Sequence, residues 1–193
     1  MRQDYDSFIH LFPEILPFDS GYFEQDNHQI YYEQIGNPDG HALLFLHGGP
    51  GAGCSPAHRR LFDPAKFRVI FIDQRGSGRS TPYGSTINNT TQHLISDINF
   101  LRVKLKIDKW TLFGGSWGST LALAYAIANP AYVTALILRG IFLGTDTEVN
   151  WYLHEMGRFF PEAYEQFISY IPIDEQHDIL SAYHNRLTGD NIQ

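Results

Sequence analysis

The chain has 193 residues, 43% of them hydrophobic and 18% charged, with a net charge of −7. That length supports one compact domain with a hydrophobic core, and the absence of a basic excess excludes nucleic acid as an expected partner. A single cysteine, Cys54, cannot form an internal disulfide, so a reducing cytoplasm is the expected compartment.

The first twenty positions carry Asp4, Asp6 and Glu14 and no continuous apolar core, so no export signal is expected. Two extended segments follow, 21–25 and 29–35, with the polar Asp26-Asn27-His28 between them, the pattern of an antiparallel hairpin. Segments 42–46 and 67–72 are short and nearly all apolar, as strands buried on both faces should be. From Thr90 to Leu105, Leu94, Ile98, Leu101 and Leu105 fall at helical spacing, and Thr90 or Thr91 can cap that helix. A strand at 110–113, an Ala- and Leu-rich helix at 116–128 closed by Asn129-Pro130, and an apolar strand at 133–138 complete the alternation. Such an order implies a mostly parallel sheet with right-handed crossovers. Beyond Gly140 the texture turns aromatic and acidic, with helices expected over 149–159, 161–169 and 174–187. No apolar run approaches the roughly 20 residues that cross a bilayer, so no membrane association is expected.

Gly114-Gly115-Ser116-Trp117-Gly118 fits G-x-S-x-G between an expected strand and an expected helix, the context that gives the pattern meaning. There Ser116 is the candidate nucleophile, on a tight turn that aims its hydroxyl outward, and the flanking glycines remove Cβ atoms that would collide. His47-Gly48-Gly49-Pro50-Gly51 directly follows the strand at 43–46 and can aim a backbone N–H at a developing oxyanion. The expected donors are Gly49, with Gly48 as the alternative, and Trp117. His47 precedes that loop and is expected to bond backbone within the turn rather than act as base. Together these features place the chain in the α/β-hydrolase fold class, with a core over 1–144 and the start of a helical cap over 145–193.

Three segments, His47–Gly51, Asp73-Gln74-Arg75-Gly76-Ser77-Gly78-Arg79-Ser80, and Gly114 to Leu121, together resemble the proline iminopeptidases, serine exopeptidases that remove N-terminal proline. The likeness continues through Arg139-Gly140-Ile141-Phe142 and Arg158 to Glu162 to Ala182–Thr188. It implies a peptide substrate with N-terminal proline and no cofactor or metal. It also implies that Phe142 and Tyr152 pack around the proline ring, although both also suit plain packing between cap and core. Asp73, Arg75 and Arg79 are expected to form one network bracing the site loops. Cys54, close to the oxyanion loop, is expected to be a passive buried thiol.

In this fold the acid and the histidine of the triad follow the nucleophile, usually after the seventh and eighth strands. Only six strands can be placed here, His154, His177 and His184 fall in helical sequence, and Asp146 precedes the cap, so none of these is taken as triad member. The chain therefore reads as the N-terminal part of such an enzyme. Without a base, its rate is expected to fall on the order of ten-thousand-fold. Rival readings are another hydrolase of this fold, such as an esterase or lactonase, and a non-catalytic remnant.

Overall fold

The computed structural model describes residues 11–189. Asp4, Asp6 and the polar closing residues 190–193 lie outside the described residues. β1 (Asp19–Gln25) and β2 (His28–Gly36) pair antiparallel around Asp26 and Asn27, which take φ of 50° and 66°. Two consecutive left-handed residues match the twist of a two-residue hairpin, and Asp and Asn tolerate that region.

β3 (His41–Leu46), β4 (Phe67–Ile72), β5 (Trp110–Gly115) and β6 (Val133–Arg139) extend the hairpin into one six-stranded sheet of order β1-β2-β4-β3-β5-β6. β2 meets β4 antiparallel, while β4, β3, β5 and β6 run parallel. Because side chains alternate along a strand, the all-apolar segments feed two cores at once. Leu44, Leu46, Ile70, Ile72 and Leu112 face one side, where α2 (Thr91–Lys104) buries Leu94, Ile98 and Leu101 and α3 (Trp117–Ala128) buries Leu121 and Tyr125. Leu43, Phe45, Val69 and Phe71 face the other side and pack with Phe62. A four-residue helix with no periodic signal, α1 (Pro56–Arg59), follows the β3 loop.

β6 differs from its sequence pattern. Its apolar residues suggest burial, yet Leu136 is 37% and Ile137 45% exposed. Among the described residues β6 is an edge strand, paired only with β5. An apolar edge invites pairing with another chain. The 193-residue chain is therefore expected to self-associate in sedimentation velocity, and Ile137→Lys to reduce that association. An unchanged monomer peak for both proteins would count against the edge as the cause.

The chain divides into two compact units between Phe142 and Leu143. The second is helical: α4 (Asp146–His154), α5 (Pro161–Ser169) and α6 (Ile179–Thr188), with 3-10 turns at Glu155–Arg158 and Ile173–Asp178. α4 begins three residues earlier than its apolar pattern because Thr145 and Glu148 form a reciprocal capping box. Thr145 Oγ1 accepts from Glu148 N–H (3.3 Å) and Glu148 Oε2 accepts from Thr145 N–H (3.1 Å). The single helix expected over 174–187 is split, because Asp178 caps α6 through Ser181 N–H at 3.1 Å. Phe167 stacks on Tyr183 with centroids 4.6 Å apart, and Ile171, Ile179 and Ala182 are buried in this unit. Thr145→Ala is expected to lower the melting midpoint of the second unit by about 3 °C, read by circular dichroism. Among the described residues no helix is long and apolar enough to cross a membrane.

Candidate active site

β5 ends at Gly115 and α3 begins at Trp117, leaving one residue to reverse the chain. Ser116 takes φ 54° and ψ −125°, a conformation that L-residues hold only when their surroundings impose it, at a cost of about 1–3 kcal/mol. Several bonds impose it here. Ser116 N–H donates to the Arg139 carbonyl at 3.0 Å, and the Ser116 carbonyl accepts from Ser119 N–H (2.8 Å) and Ser119 Oγ (2.6 Å). Ser119 Oγ in turn accepts from Phe142 N–H at 3.0 Å, while Thr120 Oγ1 donates to the Phe142 carbonyl at 2.5 Å. Phe142 is thus bolted by its backbone to the first turn of α3, and its side chain is half-buried.

Two glycines of the pattern are sterically required. A Cβ on Gly114 would stand 2.2 Å from the Gly118 carbonyl oxygen, and one on Gly118 would stand 2.1 Å from the Leu46 carbonyl oxygen. The intervening Gly115 has no such constraint: its nearest neighbour would be Arg139 Nη1 at 3.7 Å.

The loop after β3 packs directly on the Ser116 turn, since a Cβ on Gly48 would be 3.3 Å from Ser116 Cβ and 2.9 Å from the Gly115 carbonyl oxygen. Next to it, Gly49 adopts φ 114°, which favours glycine. His47, 2% exposed, organises this loop. Gln74 N–H donates to His47 Nε2 at 3.0 Å, and Nδ1 lies 2.9 Å from the Gly48 carbonyl and 3.3 Å from Gly53 N–H. Burial holds the ring below the usual imidazole range, against contacts with Gly48 and Asp73 that raise it. His47 is therefore a neutral structural ring with both nitrogens engaged. By pinning the Gly48 carbonyl it also fixes the planar Gly48–Gly49 peptide, whose N–H points the opposite way. Among the described residues neither backbone nor side chain accepts from that Gly49 N–H. Trp117 N–H, at the first position of α3, likewise belongs to the free donor end of a helix.

Behind this apparatus lie two ion networks rather than the single one expected. Arg79 Nε donates to Asp73 at 2.7 Å and Arg79 Nη1 to Glu33 at 2.8 Å, and Arg59 makes two further bonds to Glu33 at 2.8 and 2.9 Å. Arg75 belongs elsewhere: it grips Asp97 through two bonds of 2.6 Å and reaches Asp26 at 2.9 Å. Glu33, Arg59, Asp97 and Asp26 carried no motif, so sequence pattern did not single them out. Burial raises the Glu33 carboxyl, but the arginine bonds outweigh it and hold the group below its ordinary range. Asp73 is lowered in the same way by Arg79 and Cys54 N–H against its burial. Groups lowered on folding add stability above their unfolded values, near pH 4, and lose it as pH falls through the folded values. Glu33→Gln is expected to cost about 2 kcal/mol at pH 7 and to flatten the acid limb of a urea-melt series below about pH 4.

Cys54 donates its N–H to Asp73 Oδ1 at 2.8 Å, and burial, reinforced by Asp73, pushes its thiol well above the usual range. A cavity of about 570 Å³ opens beside the loop after β3, lined by Pro50, Gly51, Gln74, Arg75, Thr91 and Trp117. Among the described residues no histidine hydrogen-bonds Ser116. His28, His41, His58 and His93 are engaged with Ile87, Thr111, Ser55 and Thr90. His154, His177 and His184 lie in the second unit, as do Asp146, the first residue of α4, and Tyr152, which is 59% exposed on α4. Also among the described residues, no group of three or more His, Cys, Asp or Glu is placed to hold a metal ion.

The sequence profile of a family described as alpha/beta hydrolase fold matches residues 41–188. The chain is 51% identical over 183 residues to a proline iminopeptidase of Xylella fastidiosa, covering 94% of this chain and 58% of that protein. It is 48% identical over 187 residues to a proline iminopeptidase of Arabidopsis thaliana, covering 95% of this chain and 49% of the relative. It thus spans only about half the length of these curated relatives. Among solved structures, a proline iminopeptidase-related protein from Thermus thermophilus superposes with a TM-score of 0.55 at 33% identity, over 62% of this chain and 43% of that one.

Proposed function

The chain belongs to the alpha/beta hydrolase fold family, and from that premise we propose that it carries the nucleophile and oxyanion site of a proline iminopeptidase. The observation that carries this reading is Ser116 held at φ 54° between β5 and α3, with Gly48 packed against it. Resemblance to relatives named for proline release supplies the substrate class.

In this mechanism Ser116 Oγ attacks the carbonyl carbon of an N-terminal prolyl residue, and the electron pair of the C=O bond moves onto oxygen. Gly49 N–H and Trp117 N–H receive the oxyanion, and the N-terminal end of α3 adds its positive dipole. The Ser116 proton passes to a histidine base and from there to the departing amine, leaving a prolyl-enzyme that water then hydrolyses. That base is assigned to none of the described histidines. The resemblance assigns Phe142 and Tyr152 to contacts with the pyrrolidine ring, which flat aromatic faces suit. A core over residues 1–144 and the start of a helical cap over 145–193 make up the architecture. A cytoplasmic location and proteolysis of proline-headed peptides complete the proposal, the former supported by the lone cysteine, Cys54.

Substrate profiling tests it. Release of amine from a prolyl anilide should exceed hydrolysis of short acyl esters and of leucyl anilide at equal concentration, even where turnover is slow. A preference for acyl esters would favour the esterase reading instead.

A further inference from the structure

Gln74 follows Asp73 at the end of β4, is 4% exposed, and has every polar group engaged. Its backbone N–H donates to His47 Nε2 (3.0 Å), its side-chain Nε2 donates to the His47 carbonyl (2.9 Å), and its Oε1 accepts from Trp117 Nε1 (3.0 Å). Its carbonyl accepts from Ser77 Oγ at 2.7 Å. One side chain therefore joins the loop after β3 to the first residue of α3.

Each contact controls a different oxyanion donor. The side-chain bond to the His47 carbonyl, beside the backbone bond to His47 Nε2, anchors the residue whose Nδ1 lies 2.9 Å from the Gly48 carbonyl, and with that carbonyl the direction of Gly49 N–H. The indole bond ties down Trp117, whose backbone N–H is the second donor. We infer that Gln74 is a positioning residue that fixes these two N–H groups relative to one another. The inference rests on the oxyanion assignment proposed above.

The bridge requires a group that donates and accepts at once. A carboxylate at this position still accepts from the indole but sets a second acceptor against the His47 carbonyl. A thioether of similar length does neither. Because an oxyanion hole works by preorganised geometry, loosening either donor costs rate rather than fold.

The test uses the 193-residue chain, with 1H–15N spectra of its three tryptophan indoles and the rate at which a fluorophosphonate captures Ser116. Trp117→Phe assigns the Trp117 indole signal. In Gln74→Met that signal should move upfield while those of Trp110 and Trp151 stay, and capture should slow roughly 10- to 100-fold. Gln74→Glu should keep the indole signal near its original position yet still slow capture, and it serves if Gln74→Met fails to fold. Adding Trp117→Phe to Gln74→Met should slow capture little further, as for two ends of one contact. Capture at the wild-type rate in both Gln74 variants would overturn the inference and leave Gln74 a packing residue. Capture needs an activated serine, so if the wild-type chain is not modified at Ser116 the indole spectra decide alone, and a Trp117 signal unmoved in Gln74→Met would overturn the inference.

Discussion

Ser116→Ala is expected to abolish covalent capture at position 116 and to reduce any prolyl-anilide cleavage to the buffer rate, without unfolding the protein. Alanine lacks the attacking oxygen, so no covalent adduct can form at that position. The bonds that shape the turn run through Ser116 N–H and its carbonyl, to Arg139 and Ser119. They survive the substitution, so the melting midpoint should move by no more than about 2 °C. Ser116→Gly supplies the complementary result. With φ at 54°, glycine relieves strain that serine and alanine both bear, and the inactive variant should be more stable by about 1 kcal/mol. Loss of capture in Ser116→Ala together with a collapsed melt would instead make Ser116 a structural residue.

Gly118→Ala is expected to be the most destabilising single methyl in this region. Its Cβ would stand 2.1 Å from the Leu46 carbonyl oxygen and 3.0 Å from that of His47. Both atoms are backbone at the end of β3, the central strand between β4 and β5, so neither can swing aside as a side-chain tip would. Either α3 moves off the sheet or the β3 loop is displaced, at a cost of about 4 kcal/mol or more. For a chain of this size that is a fall in melting midpoint of roughly 10 °C, with loss of capture at Ser116 because the loop that packs on Ser116 starts at the displaced atoms. Gly114→Ala should behave similarly, having 2.2 Å to the Gly118 carbonyl oxygen. Gly115→Ala is the control, with nothing nearer than 3.7 Å. Equal tolerance of all three would show that close approach is not why these glycines are present.

Much of this arrangement was legible in the residues. The nearly all-apolar runs at 42–46 and 67–72 and the 94/98/101 spacing come from burial, which acts locally, so strands and helix α2 could be read directly. Ser116 was legible because a strand–turn–helix leaves little choice about where a small residue must stand. The resemblance to proline iminopeptidases rested on contiguous segments, and it agrees with relatives near 50% identity. The acidic and basic partners were less legible, because Glu33 and Arg79 meet across 46 positions and Arg75 and Asp97 across 22. A charged residue inside a strand, such as Glu33 between Tyr32 and Gln34, was the available hint. Pairing Arg75 with Asp73 followed from proximity along the chain, whereas space pairs it with α2. Gln74 was visible only as a letter between two charges. Its role comes from a three-way junction that no periodicity encodes. The exposed face of β6 was illegible for a similar reason, since an apolar strand has the same sequence whether or not a neighbour covers it.

The most direct test of the account is to expose the chain to a proline-derived phosphonofluoridate and map the adduct by peptide mass spectrometry, with and without excess prolyl dipeptide. One adduct is expected, on Ser116, whose formation slows with the prolyl dipeptide and not with a leucyl dipeptide. An adduct on another residue, or one at Ser116 that both dipeptides affect equally, would contradict it.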